Sequence, residues 1–200
     1  MPDHPKKPKP PVHRDTLHAP WRDQYMRLLS SELQASRDAA KAGAEDAPPD
    51  SFLGQYWCCP DEDEPNHVIA RLDCGPTGCG AMILLNRYPY ANGHLLVALG
   101  DGRPRLLDYD AEQRASLWQT VDRAVELVEM ALRPQGVNVG INQGPAAGAG
   151  VPTHLHVHVI PRWMGDVNFI DTVGNIRVIP SALDSMAERL REVWATMQQG

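Results

Sequence analysis

Three histidines alternate with apolar residues in His154-Leu155-His156-Val157-His158. Imidazole has a reference pKa of about 6.5, so at neutral pH it is largely uncharged and nucleophilic. In an extended strand successive side chains point to opposite faces, which predicts His154, His156 and His158 on one face and Leu155, Val157 and Val159 on the other. Three adjacent rings make a costly core, because a buried ring without hydrogen-bond partners loses about 1–3 kcal/mol. Two chemistries then compete. Alternate strand residues lie about 6.6–7 Å apart, and three neutral imidazoles can converge on zinc. Alternatively, one ring attacks an electrophile while its neighbours orient it.

The residues just upstream tip this choice. Gln143-Gly144-Pro145-Ala146-Ala147-Gly148-Ala149-Gly150-Val151-Pro152 is a loop of small side chains, and its unhindered backbone N–H groups can approach and cradle phosphate oxygens. A phosphate held by amides beside a neutral imidazole is an arrangement for phosphorus chemistry. His156, the middle histidine, is then the candidate nucleophile.

The elements that must position these groups follow from periodicity. Residues 1–20, rich in Pro, Lys and His, read as a disordered arm, and 21–200 as a single domain. Trp21, Tyr25, Leu28, Leu29 and Leu33 predict a helix over 22–41, and 43–51 reads as a loop. Short apolar runs at 67–72, 81–86 and 94–99, separated by turn residues, predict three strands in a meander. Leu117, Val121, Ala124, Val125, Val128 and Leu132 predict an amphipathic helix over 111–132. Residues 137–142 and 153–160 are expected to be strands, and 181–197 a C-terminal helix with Ser181 as a candidate cap. The sum is an α+β domain in which helices flank an antiparallel sheet of about five strands.

Composition bounds the function. With 200 residues and 42% hydrophobic content the chain can build one proper core. A net charge of -6 gives no general attraction to nucleic acid or to an anionic membrane. No apolar run approaches the roughly 20 residues needed to span a bilayer, and no apolar stretch follows the basic N-terminus, so a cytoplasmic protein with a small-molecule substrate is expected. The four cysteines, Cys58, Cys59, Cys74 and Cys79, are read as reduced.

His154-Leu155-His156-Val157-His158-Val159-Ile160 resembles the signature of the histidine triad (HIT) superfamily. Leu84 to Pro89 with Gly93 to Val97 resembles that family's first nucleotide-binding strand pair, and Asn142-Gln143-Gly144 the polar turn before its glycine loop. Pro161-Arg162-Trp163 and Gly165 to Phe169 look most like the bacterial branch that phosphorolyses or hydrolyses diadenosine tetraphosphate (Ap4A). The resemblance implies a HIT-like homodimer with the helix at 111–132 near its interface. It also implies an enzyme that cleaves dinucleoside polyphosphates through a nucleotidyl-histidine on His156, released by phosphate or water.

By the same resemblance, His154 and His158 orient His156 or contact phosphate, and amides around Gly148, Gly150 and Val151 stabilise phosphoryl charge, with Thr153 offering a hydroxyl. Asn86 holds ribose, Leu84 lines the base pocket, Asn142 contacts sugar or phosphate, and Trp163 meets substrate or the dimer partner. A divalent cation such as Mg is expected only with the substrate. The family's zinc site uses a Cys-x-x-Cys pair and a later histidine. Here the cysteines are adjacent, Cys58-Cys59, and no histidine follows Val97 in the stretch 98–105, so no structural zinc is expected, with Cys74 and Cys79 a possible replacement. From the residues alone, Asn86 reads more readily as a turn former than as a ligand, and His94 as a structural histidine. The alternative function is a nucleotide-binding module that signals to a partner; a metal-binding protein is the third reading.

Overall fold

The computed structural model describes residues 51–73, 80–166 and 181–199. The arm at 1–20, the helix expected at 22–41, Cys74 and Cys79 lie outside the described residues. Five antiparallel strands, β1 (Val68–Leu72), β2 (Ala81–Leu85), β3 (Leu95–Leu99), β4 (Gly136–Ile141) and β5 (Val157–Arg162), pair in the order β1-β2-β3-β5-β4. Among the described residues three α-helices accompany them: α1 (Phe52–Cys58), α2 (Ala111–Leu132) and α3 (Leu183–Met197). No described helix is long and apolar enough to cross a membrane.

Every residue of β2 and β3 is buried, because helices cover both faces of the sheet. On one face Ile83, Leu85, Val97, Val157 and Val159 pack against Leu117, Val121 and Leu127 of α2 and Met186 and Leu190 of α3. On the other, Val68, Met82, Leu84, Leu96 and Ala98 pack under Leu53 of α1. α2 has the bounds its periodicity predicts. Asp110 accepts from the Gln113 amide at 2.8 Å, and Gln113 accepts from that of Asp110 at 3.0 Å, a reciprocal cap.

Two expectations need correction, and one element was not expected: α1, which Ser51 caps by accepting from the Gly54 amide at 3.0 Å. Ser181 does not cap α3: Ala182 holds that position, and the Ser181 hydroxyl instead accepts from Asn92 at 3.3 Å. β5 begins at Val157 rather than at 153. His154 to His156 precede the ladder, and the Leu155 amide donates to the Arg103 carbonyl at 2.8 Å instead of to a strand. The alternation still holds, since Leu155 joins Val157 and Val159 in the core.

At the end of α1 the Trp57 ring lies on bare backbone. A Cβ added to Gly80 or Gly100 would enter the indole, and the two glycines are joined by a bond from the Gly100 amide to the Gly80 carbonyl at 2.7 Å. Arg71 covers the ring, 5.1 Å from its centroid, which adds a cation–π contact to the packing.

Candidate active site

β5 lies between β3 and β4, with His158 opposite Leu96 and Gly140. Leu96 is in turn opposite Leu84 on β2, so the triad and Leu84 share one face of the sheet. Leu84 is buried in the apolar cluster of that face.

His154 is 2% exposed, and both ring nitrogens are engaged. Nε2 lies 2.8 Å from the Leu99 carbonyl and Nδ1 lies 2.8 Å from Ser51 Oγ. A carbonyl can only accept, so Nε2 carries the proton in the neutral ring and the Ser51 hydroxyl donates to Nδ1. Gly102 makes room for this ring: a Cβ there would sit 2.5 Å from Nδ1.

His156 is also buried. Its Nδ1 lies 3.0 Å from the His154 carbonyl, so Nδ1–H donates and the lone pair is left on Nε2. Burial pushes the pKa of His156 below the ordinary histidine value, opposed by the bond to that carbonyl. The same desolvation lowers His154, against the pull of Leu99. Burial therefore favours two uncharged rings.

His158 is reached by a relay that the sequence reading treated as structural. The Tyr90 amide donates to His94 Nδ1 at 3.0 Å, which leaves the His94 proton on Nε2, 3.0 Å from His158 Nδ1. His158 then bears its own proton on Nε2, with its ring 4.9 Å from that of His156. Asn86 serves this relay: Oδ1 accepts from the Tyr88 amide at 3.0 Å and Nδ2 lies 3.3 Å from His94 Nδ1. Its side chain thus ties the turn to His94.

The glycine loop is partly self-bonded. A 3-10 turn spans Pro145–Ala147, followed by Gly148 at φ 83, a conformation glycine adopts without strain. The Gly148 amide donates to the Pro145 carbonyl and the Ala149 amide to the Gly144 carbonyl. No backbone carbonyl among the described residues takes the N–H of Gly150 or Val151. Val151 is buried, while Asn142, Gly150, Thr153 and Trp163 are partly exposed. The Trp163 amide donates to Asp166 at 3.3 Å.

The donor set does not fit a zinc ion at the triad. Ser51 and Leu99 occupy both nitrogens of His154, and Cys58 and Cys59 are exposed at the end of α1. Among the described residues no group of three His, Cys, Asp or Glu side chains is arranged to hold a metal.

The HIT domain family model matches residues 79–164. An AP-4-A phosphorylase of Mycobacterium tuberculosis is 36% identical over 182 residues, covering 91% of this chain and 87% of that protein. An asymmetrical bis(5'-nucleosyl)-tetraphosphatase of Schizosaccharomyces pombe is 35% identical over 89 residues, 44% of this chain and 48% of its own length. The crystal structure of a zinc-bound histidine triad family protein from Mycobacterium smegmatis is 26% identical with a TM-score of 0.56, covering 72% of this chain and 94% of that one.

Proposed function

We propose, from the premise that this chain belongs to the HIT domain family, that it is an enzyme cleaving dinucleoside polyphosphates of the Ap4A type at the α-phosphate. The observation that carries this reading is the disposition of protons on the triad. His156 holds its proton on Nδ1 against the His154 carbonyl and so presents a lone pair at Nε2.

In the first step Nε2 bonds to the α-phosphorus, and the P–O bond to the remaining phosphates breaks, so Ap4A yields adenylyl-His156 and ATP. The imidazolium so formed is stabilised by its Nδ1–H bond to the carbonyl. His158, set by His94, donates from Nε2 to a non-bridging oxygen. The N–H groups of Gly150 and Val151 and the Thr153 hydroxyl stabilise charge developing on the phosphoryl group. In the second step an acceptor oxygen displaces His156. The length-wide likeness to an AP-4-A phosphorylase favours inorganic phosphate over water as that acceptor, giving ADP. Leu84, Asn142 and Trp163 shape the nucleoside site, and a divalent cation such as Mg travels with the substrate phosphates. The protein works as a cytoplasmic homodimer.

Incubating the protein with Ap4A, with and without inorganic phosphate, tests the reading. ADP and ATP formed only with phosphate support it; AMP and ATP in either case make the enzyme a hydrolase; an intact substrate refutes the activity.

A further inference from the structure

We propose that Ser51 is a positioning residue for the triad: together with the Leu99 carbonyl, its hydroxyl holds the His154 ring in one tautomer and one orientation and so fixes the carbonyl that aims His156. The kinetic part rests on the activity proposed above; the structural part does not.

The sheet does not hold the segment that carries the nucleophile. The ladder to β3 and β4 begins at Val157, and ahead of it the backbone is tied by the Leu155 amide on Arg103 and the His154 amide on Val151 at 3.4 Å. Firm anchorage comes from the His154 ring, gripped by Leu99 on one nitrogen and Ser51 on the other. The carbonyl that receives His156 Nδ1–H belongs to that same residue. A ring that tilts would carry its carbonyl along and change the direction of the His156 lone pair.

Serine suits this place for a specific reason. Its oxygen must accept from the Gly54 amide to cap α1 while its proton goes to His154 Nδ1. A hydroxyl does both at once; a carboxylate accepts only, and a methyl does neither. Aspartate would thus preserve the cap yet compel His154 to place a proton on Nδ1, which sets Nδ1–H against the existing Nε2–H···Leu99 bond or charges the ring. Asparagine, of nearly the same shape, can cap through its oxygen and donate through its nitrogen. Contact with Ser51 spans 103 residues of sequence and holds the first histidine with no ion and no net charge.

The pair Ser51→Asp and Ser51→Asn, with Ser51→Ala, separates this role from helix capping. Nitrogen-15 NMR of histidine-labelled protein reads the tautomer of His154 directly, and Ap4A turnover is measured in parallel. Wild type is expected to show His154 neutral with the proton on Nε2. Ser51→Asn should retain that state with kcat within about threefold of wild type. Ser51→Asp should show a proton on Nδ1, and both it and Ser51→Ala should lose about tenfold or more in kcat with KM little changed, the scale of one unpaired buried group. A wild-type ring protonated only on Nδ1 overturns the proposal by itself. So do equal turnover in all three variants, or turnover that follows thermal stability alone. If wild-type protein leaves Ap4A intact, the proposed activity fails while the tautomer of His154 still decides the role of Ser51.

Discussion

His156→Ala removes the attacking nitrogen but little of the nucleoside site, so turnover should vanish while Ap4A binding, read by calorimetry, stays within about fivefold. The pH dependence follows from burial. His156 is held below the ordinary value of about 6.5, so the uncharged nucleophile persists below that pH and the acid limb of kcat/KM should fall under 6.5. The same sign governs stability. The unfolded chain takes up protons on His154 and His156 before the folded one does, so their contribution is whole above about 6.5 and declines as pH drops from there toward their folded values. A melting temperature that is flat over this range would refute it. Gly102→Ala should mimic Ser51→Ala, since its methyl would press on the ring Ser51 holds, and the double variant should be less impaired than the two effects summed. The triad was legible in sequence because alternation alone puts three rings together. Ser51 and Gly102 were not, nor was the bond from His94 to His158, because each acts through proximity that only the folded chain creates.

Elements were legible in proportion to their length and period. α2 offers 22 residues of apolar stripe between Asp110 and Pro134, and its limits were read correctly. Asp110→Ala should cost about 1 kcal/mol through the lost cap, and Leu127→Ala about 2–5 kcal/mol through the cavity left between α2 and the sheet; denaturant midpoints check both. α1 escaped notice because seven residues make two turns, too few for a period to register. The start of β5 was misplaced because alternation marks any extended chain, whereas a ladder also needs a neighbour. The pairing of β3 with β5 stops at Val97 and Val157 although β3 runs on to Leu99, and the histidines before it are held by loop backbone and by side chains instead. Their freedom from the sheet is what lets Arg103 and Ser51 place them.

At the scale of the molecule, α1 covers one face of the sheet and α2 and α3 the other, while β4 stands at the edge with Val139 43% exposed. Trp118 and Met130 on α2 are exposed as well. These apolar groups suit an interface between two copies, so light scattering should report twice 22.1 kDa, and Val139→Lys should shift the population toward the monomer. The glycines that touch rings have a wider consequence. Gly80 and Gly100 carry Trp57, Gly102 carries His154, and at each a single methyl would occupy space an aromatic ring already fills. In a pooled library of every single replacement, grown under selection for the enzyme, these three columns should empty as thoroughly as those of the histidines, though none of the three has a side chain with which to do chemistry.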